Sequence, residues 1–412
     1  MAVYSHPGRG MQAGGHVGGK GAGQATAVRP GAWSLESRHP DDLWLIGVAA
    51  FIACLGLVML ASASMPIADR NLDMPLYYLW RQLAALGLGI AAILVVIRVP
   101  LDVLERLSSA LLFTGLALLL LTLIPGIGRE VNGSVRWIAL GPITMQASEP
   151  AKLCVIVYLA SYLVRHATQV RTEFIGFIKP VLVLTVVAAL LVLEPDYGAA
   201  VVLFSTALGM IFLGGVPLAR FTAWGLVAVA SLATLAVMAP YRMQRLMTFM
   251  DPWSDPYNSG FQLTQALIAF GRGEWLGVGL GSSIQKLFYL PEVHTDFLFA
   301  VVAEELGLVG SLVVLAAFTF LVWRMLYIGG LAESVGKPFA AYLAYGVALL
   351  LGIQAFVNIG VNMGVLPTKG LTLPLMSYGS NSVTITCVAL GLVMRVAREV
   401  RSAAHPRSGG GA

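Results

Sequence analysis

The amino-acid sequence predicts an all-α, polytopic membrane protein with about ten transmembrane helices and one large structured extracytoplasmic loop. Three observations carry this. Of the 412 residues 58% are hydrophobic and 11% charged, against about 25% charged in soluble globular chains, which excludes an ordinary soluble enzyme. The apolar residues gather into ten runs, several of them near the roughly 20 residues that one membrane span requires. A single long polar connection, about 240–296, interrupts the series.

Residues 1–42 are rich in Gly, Ala, His and Pro, carry Arg9, Lys20, Arg29 and Arg38, and lack apolar periodicity, so a disordered cytoplasmic tail is expected. The first run, Leu43–Ala63, ends in Ala61-Ser62-Ala63. This resembles a signal-peptidase site, but the run is too long and too far from the N-terminus for a signal segment, so it reads as an uncleaved first span. Further runs lie near 79–97, 109–124, 151–164, 180–193, 199–214, 223–239, 297–323, 340–361 and 375–394. With the N-terminus inside, the inner segments hold Arg98, Arg106, Arg165, Arg171, Lys179, Arg220, Arg324, Lys337, Arg395, Arg398, Arg401 and Arg407, as the positive-inside rule requires. An even number of spans then makes 43–396 the membrane domain and 397–412 a cytoplasmic tail. The balance of 26 Lys and Arg against 21 Asp and Glu, a net charge of +5, thus records orientation rather than nucleic-acid binding. No basic patch interleaved with aromatics argues otherwise.

The long connection falls outside. It contains Tyr241, Trp253, Tyr257, Phe261, Trp275, Phe288 and Tyr289, enough aromatic surface to pack on a membrane or over a cavity. Short amphipathic helices are expected near 242–250 and 261–271, joined by turns at Asp251-Pro252 and Asp255-Pro256. Cys54, Cys154 and Cys387 lie singly inside apolar runs, where cysteine acts as a small hydrophobe.

Ionisable residues at membrane depth are expensive and mark function or internal pairing. Here they are Arg81, Glu149, Lys152, Glu194, Asp196, Glu304, Glu305 and Lys369, with Arg136 and Asp296 at outer boundaries. Three outer connections share one theme: 132–152, the tight turn Glu194-Pro195-Asp196-Tyr197-Gly198, and Leu290–Phe297. A helix from Asp296 would put positions 296, 300 and 304 on one face, so Asp296 and Glu304 could point into one cavity. Gln354, Asn358 and Asn362 repeat every four residues and read as interhelical hydrogen-bond glue rather than as substrate contacts.

Several familiar chemistries fail on context. The glycines at 271, 273, 277, 279 and 281 lack the strand and Lys-Ser/Thr pair of a phosphate loop. His294 beside Glu292 and Asp296 is too few ligands for a metal. No Ser occupies a nucleophile elbow. A glycosidase needs two carboxylates because its leaving group must be protonated, whereas a pyrophosphate departs as a stable anion. One base and several cations then suffice, with Asp296 as the base and Arg136, Lys152 or Lys369 as phosphate clamps.

The segment from Asp251-Pro252-Trp253 through Gly260-Phe261-Gln262-Leu263, Phe270-Gly271-Arg272-Gly273, Gln285-Lys286, Tyr289-Leu290-Pro291-Glu292 and His294-Thr295-Asp296-Phe297 to Glu304-Glu305-Leu306-Gly307 closely resembles the SEDS family (shape, elongation, division and sporulation). Leu366–Pro374 looks like its division branch, and the likeness covers about 43–395. The resemblance implies a ten-span glycosyltransferase that polymerises lipid II into glycan strands at the outer face of the bacterial inner membrane, at the division septum, releasing undecaprenyl pyrophosphate with inversion. It implies Asp296 as the essential acid of the large loop, and it matches Arg136, Lys152 and Asp196 to family motifs. With Glu304 and Lys369 these form the expected substrate-binding set, and no metal site is expected. A divalent cation (Mg or Mn) could assist, though no dedicated cage is visible. The implied partners are a class B penicillin-binding protein and septal regulators. Rival readings are a lipid II flippase and a membrane scaffold; the concentration of charges at outer ends favours polymerisation. One departure stands out: the family's Ser-Tyr-Gly-Gly-Ser-Ser is here Ser377-Tyr378-Gly379-Ser380-Asn381-Ser382, which puts a local backbone approach in question.

Overall fold

The computed structural model describes residues 42–131, 134–140, 143–237, 247–258, 260–287, 289–367 and 370–404. Its helices are α1 (Leu43–Leu72), α2 (Tyr77–Val96), α3 (Leu101–Arg106), α4 (Ser108–Thr122), α5 (Ser148–Arg165), α6 (Ala167–Thr172), α7 (Phe174–Leu193), α8 (Tyr197–Leu213), α9 (Leu218–Val237), α10 (Phe261–Gly273), α11 (Leu298–Ser334), α12 (Pro338–Asn362) and α13 (Ser380–Ala404). Between α4 and α5 lies an antiparallel sheet, β1 (Gly128–Val131), β2 (Ser134–Leu140) and β3 (Ile143–Gln146).

The apolar runs of the sequence fall on α1, α2, α4, α5, α7, α8, α9, α11, α12 and α13. Among the described residues α1, α2, α7, α11 and α12 are long and apolar enough to cross a membrane, and α4 and α8 are shorter apolar helices. The last run begins late as a helix: Pro374 and Leu375, whose φ is 64°, precede a turn in which Ser377 N–H bonds the Leu373 carbonyl at 3.0 Å. At the other end α13 continues to Ala404, past the expected boundary at 396. Its last turns are held by ion pairs, Glu399 with Lys337 and Arg395, and Arg401 with Asp42. Asp42 itself caps α1 through Leu45 N–H and binds Arg324 of α11 with two donors, at 3.1 and 2.7 Å. Four basic residues assigned to the inner side, Arg324, Lys337, Arg395 and Arg401, therefore join α1, α11, α12 and α13 through shared acids.

The sheet departs from an all-helical reading. Its strands are four to seven residues long, and β2 pairs with β3 in a register that sets Trp137 opposite Gln146 and Ala139 opposite Thr144. The sequence signal was Asn132-Gly133, a hairpin dipeptide between short alternating segments. In the long connection, α10 occupies the position expected near 261–271. The helix expected near 242–250 lies partly outside the described residues, with 247–250 helical.

The central feature is a break in α11. At Gly307 the backbone adopts φ 67° and ψ −161°, a conformation essentially confined to glycine. A break inside a buried helix frees main-chain groups that must find partners within the protein. Residues 274–279 do this. Val278 and Gly279 donate to the carbonyls of Glu304 and Glu305, at 3.0 and 3.1 Å, while Leu308 and Val309 donate to Glu274 and Trp275, at 2.9 and 3.1 Å. A Cβ at position 307 would lie 2.7 Å from the Trp275 carbonyl carbon. Gly307→Ala is therefore expected to lower stability by at least about 1–3 kcal/mol, read as a lower melting temperature of the purified protein; an unchanged melt would mean that the break tolerates a side chain.

Candidate functional site

The turn that precedes α11 winds around one carbonyl. Glu292, at φ 54°, accepts from the N–H groups of Thr295 at 3.1 Å and Asp296 at 3.2 Å. This sets Asp296 one residue before Phe297, the N-cap of α11, which supplies no side-chain cap of its own. Asp296 is half-buried, and its carboxylate has no hydrogen-bond partner among the described residues. Its main-chain carbonyl is instead doubly held, by Asn358 Nδ2 at 3.0 Å and Asn362 Nδ2 at 2.9 Å. Burial is the main cause that pushes the Asp296 carboxyl up to about 7; neighbouring Glu292 raises it further, and Arg136 acts in the opposite direction. Gly370 faces this carboxylate, since a Cβ there would lie 3.0 Å from Oδ2.

Arg136 comes from the middle of β2. It is half-buried, and its Nε lacks a hydrogen-bond partner, an arrangement that leaves capacity for an anion. Its charge is felt by two carboxyls, Asp296 and Glu194. Glu194 ends α7 fully buried, with the Thr122 hydroxyl 2.6 Å from Oε1. The hairpin is fastened to this turn by Ser134 Oγ, which donates to the Glu194 carbonyl at 2.6 Å. Its far side is fastened to α13 by Asn381, whose amide donates to the Thr144 carbonyl at 2.8 Å. The departure Ser380-Asn381 thus supplies a side-chain bond to β3.

A third wall is aromatic. Tyr78, His294 and Tyr378 have ring centroids 4.6, 5.0 and 5.7 Å apart. Gln82 of α2 orders the last of these segments, donating to the Ser377 carbonyl at 2.9 Å and accepting from Gly379 N–H at 3.3 Å. The His294 carbonyl accepts from Tyr378 N–H at 2.9 Å, and burial lowers the imidazole's basicity, against the opposing pull of Glu292. Arg81, exposed, donates to the Tyr77 hydroxyl at 3.2 Å.

The remaining expected residues have different surroundings. Lys152 is 1% exposed, with Nζ 2.8 Å from Glu149 and 3.2 Å from Gln354 Oε1. Asp196 is buried and caps α8 through Ala199 N–H at 3.2 Å, while accepting from Gln146 and Ser148. Glu304 is 0% exposed. It binds Arg272 at 2.8 Å, Ser283 Oγ, and the N–H groups of Ile284 and Gln285. The expected helix from Asp296 begins instead at Leu298, leaving Asp296 in the preceding turn, and the Glu304 carboxylate is taken up by residues 283–285. Glu305 takes Lys286 at 2.8 Å and Ser62 at 2.7 Å in the same way. Lys152, Asp196 and Glu304 are thus all buried and bonded within the protein. Lys369 lies outside the described residues. Among the described residues no three His, Cys, Asp or Glu side chains converge.

Sequence reasoning passes over Tyr78 and Gln82, and it meets Tyr378 and Asn381 only as part of the departure at 377–382, without a role in the site. Their signal is weak, because polar aromatics at a membrane boundary are common.

Comparison with known proteins agrees with this architecture. Residues 42–402 match the family model that unites FtsW, RodA and SpoVE, described as a cell cycle protein. A protein of Nitrosococcus halophilus named as a probable peptidoglycan glycosyltransferase FtsW is 60% identical over 365 residues, covering 89% of this chain and 94% of that one. One of the same name from Hahella chejuensis is 55% identical, covering 88% and 91%. Among solved structures, a chain from a peptidoglycan synthase complex that coordinates polymerization and crosslinking superposes with a TM-score of 0.72 at 32% identity, covering 87% of this chain and 98% of that one. The rod shape determining protein RodA of Thermus thermophilus gives 0.63 at 31% identity, covering 87% and 97%. The chain belongs to the FtsW, RodA and SpoVE family, the SEDS proteins.

Proposed function

We propose that this protein polymerises lipid II into glycan strands at the outer face of the inner membrane during cell division, with Asp296 as general base. The observation that carries the reading is a half-buried carboxylate, unpaired among the described residues and raised to about 7, beside an arginine with an unfilled donor. A base is most effective when its pKa lies near the working pH. Asp296 takes the proton from the acceptor sugar's 4-hydroxyl as that oxygen bonds the anomeric carbon of the lipid-linked strand. The bond from that carbon to the pyrophosphate oxygen breaks, and its electron pair leaves with undecaprenyl pyrophosphate. A single displacement inverts the anomeric centre. Arg136 stabilises charge growing on the leaving phosphates.

Lys369, matched only by the sequence, serves as a second phosphate cation in this reading. Asp196 ties α8 to β3 and α5 through Gln146 and Ser148, and Lys152 ties α5 to Gln354 of α12. The same reading takes ten crossings with both termini cytoplasmic, the septum as location, and a class B penicillin-binding protein as partner. The likeness to a chain of a peptidoglycan synthase complex supports that partner.

Purified Asp296→Asn protein given lipid II is expected to lose about 10²–10⁴-fold in polymerisation, and wild-type kcat/KM is expected to rise with pH through about 7; normal polymerisation by the variant would exclude the base. The same substitution should alter stability. The folded carboxyl ionises near 7, above its ordinary value of 3.8, so the unfolded chain ionises first and wild-type stability falls as pH rises between those values. Asp296→Asn is therefore expected to melt higher than wild type at pH 8, with the gap narrowing towards pH 4.

A further inference from the structure

We propose that Asn358 and Asn362 are positioning residues for the glycosyl transfer, fixing Asp296 and the backbone that faces it through their side-chain amides. The proposal rests on Asp296 being the base.

Both side chains are buried, at 2% and 0% exposure, Asn358 one turn before the end of α12 and Asn362 as its last residue, where an unbonded amide is costly. Each –NH₂ has both hydrogens committed. Asn358 donates to the carbonyls of Asp296 and Leu371. Asn362 donates to Asp296 and, within its own helix, to the Asn358 carbonyl at 2.9 Å. Its Oδ1 accepts from Ala300 N–H at 3.1 Å. That N–H lies in the first turn of α11 and is shared between Asn362 Oδ1 and the Phe297 carbonyl, each at 3.1 Å, while Phe297 supplies no side-chain cap. Asn362 therefore caps α11 from another helix and, with the same group, grips the residue just outside that cap.

Interhelical glue would link one helix body to another. Here every bond the two amides make outside α12 ends on main chain at Asp296, at Ala300 one turn later, or at Leu371, the neighbour of Gly370. Gly370 is the residue whose Cβ would come within 3.0 Å of Asp296 Oδ2. The pair thus holds two non-helical strands of backbone, one carrying the carboxylate and one opposite it, and so sets the gap between them. Reacting groups misplaced by about 1 Å can cost about 10²-fold in rate, which gives the expected size of the effect.

The test is made on the full-length protein with lipid II. Asn358→Leu/Asn362→Leu is expected to lower kcat by about 10²-fold with KM little changed. Its acid limb in the pH–rate profile should move to lower pH, because a released Asp296 carboxyl regains water and loses the burial that raises it. The charged groups that act on Asp296, Glu292 on its own turn and Arg136 on β2, are untouched by these changes. Thr206→Val, which removes a buried hydroxyl bonded only within α8, serves as the packing control and should leave the limb in place. If the double variant melts below the assay temperature, Asn358→Leu alone keeps the Asn362 cap and carries the same readouts, with a loss of about tenfold. Wild-type kcat and an unmoved acid limb in a folded variant would overturn the positioning role, as would an equal limb shift in Thr206→Val. Asp296→Asn run in parallel separates the two readings: normal activity there removes the base itself, whereas an inactive Asp296→Asn beside fully active asparagine variants removes only the positioning.

Discussion

A main-chain carbonyl or N–H that leaves a helix inside a bilayer finds no water, and unless another protein group bonds it the cost is several kcal/mol. The architecture around Asp296 follows from that requirement. The break at Gly307 is made good by residues 274–279. The turn before α11 is made good by Asn358 and Asn362, and the carbonyls of Leu371 and Thr372 by Asn358 and Gln354. Irregular backbone, the only kind that can bring a carboxylate, a glycine strand and an arginine hairpin to one place, exists here because buried amides and carboxylates bond it.

The charges divide accordingly into two kinds. Glu149, Asp196, Glu304 and Glu305 are buried and satisfied by lysines, arginines, hydroxyls or N–H groups, and they fix loops and helix ends. Asp296 and Arg136 are half-buried, and each keeps capacity unfilled among the described residues. A carboxylate left without hydrogen bonds in a poorly hydrated crevice is destabilising when ionised, which is the usual exchange of stability for reactivity at functional sites. Glu194 stands between the kinds: one oxygen is bonded to Thr122 and the other is buried without a partner, within reach of the field of Arg136.

The helices were legible because ten apolar runs dominate a chain with few charges, and the large-loop motif marked Asp296. The sheet was not read, because its strands are short and mixed in polarity and Asn132-Gly133, a common hairpin dipeptide, was taken only as part of an outer connection. Local rules would have sorted some of the charges. Asp196 directly precedes a helix, as a cap does, and Glu149 stands three residues before Lys152, at pairing distance on a helix. The occupation of Glu304 by Ser283 and its neighbours was not legible, because a loop donates those N–H groups from about twenty residues upstream. Nor was the role of the amide stripe. Its four-residue spacing is plain in the sequence, but its acceptors are main-chain atoms, which carry no sequence signature.

The central claim is that this scaffold holds one carboxylate ionising near neutrality at the reacting face. Difference infrared spectroscopy of the purified protein, with Asp296→Asn as the subtraction reference, reads that carboxyl directly as pH is varied. A protonated-carboxyl band that is lost in the Asn variant and titrates with a midpoint near 7 is expected. A midpoint near 4, that of an ordinary hydrated aspartate, would contradict the account.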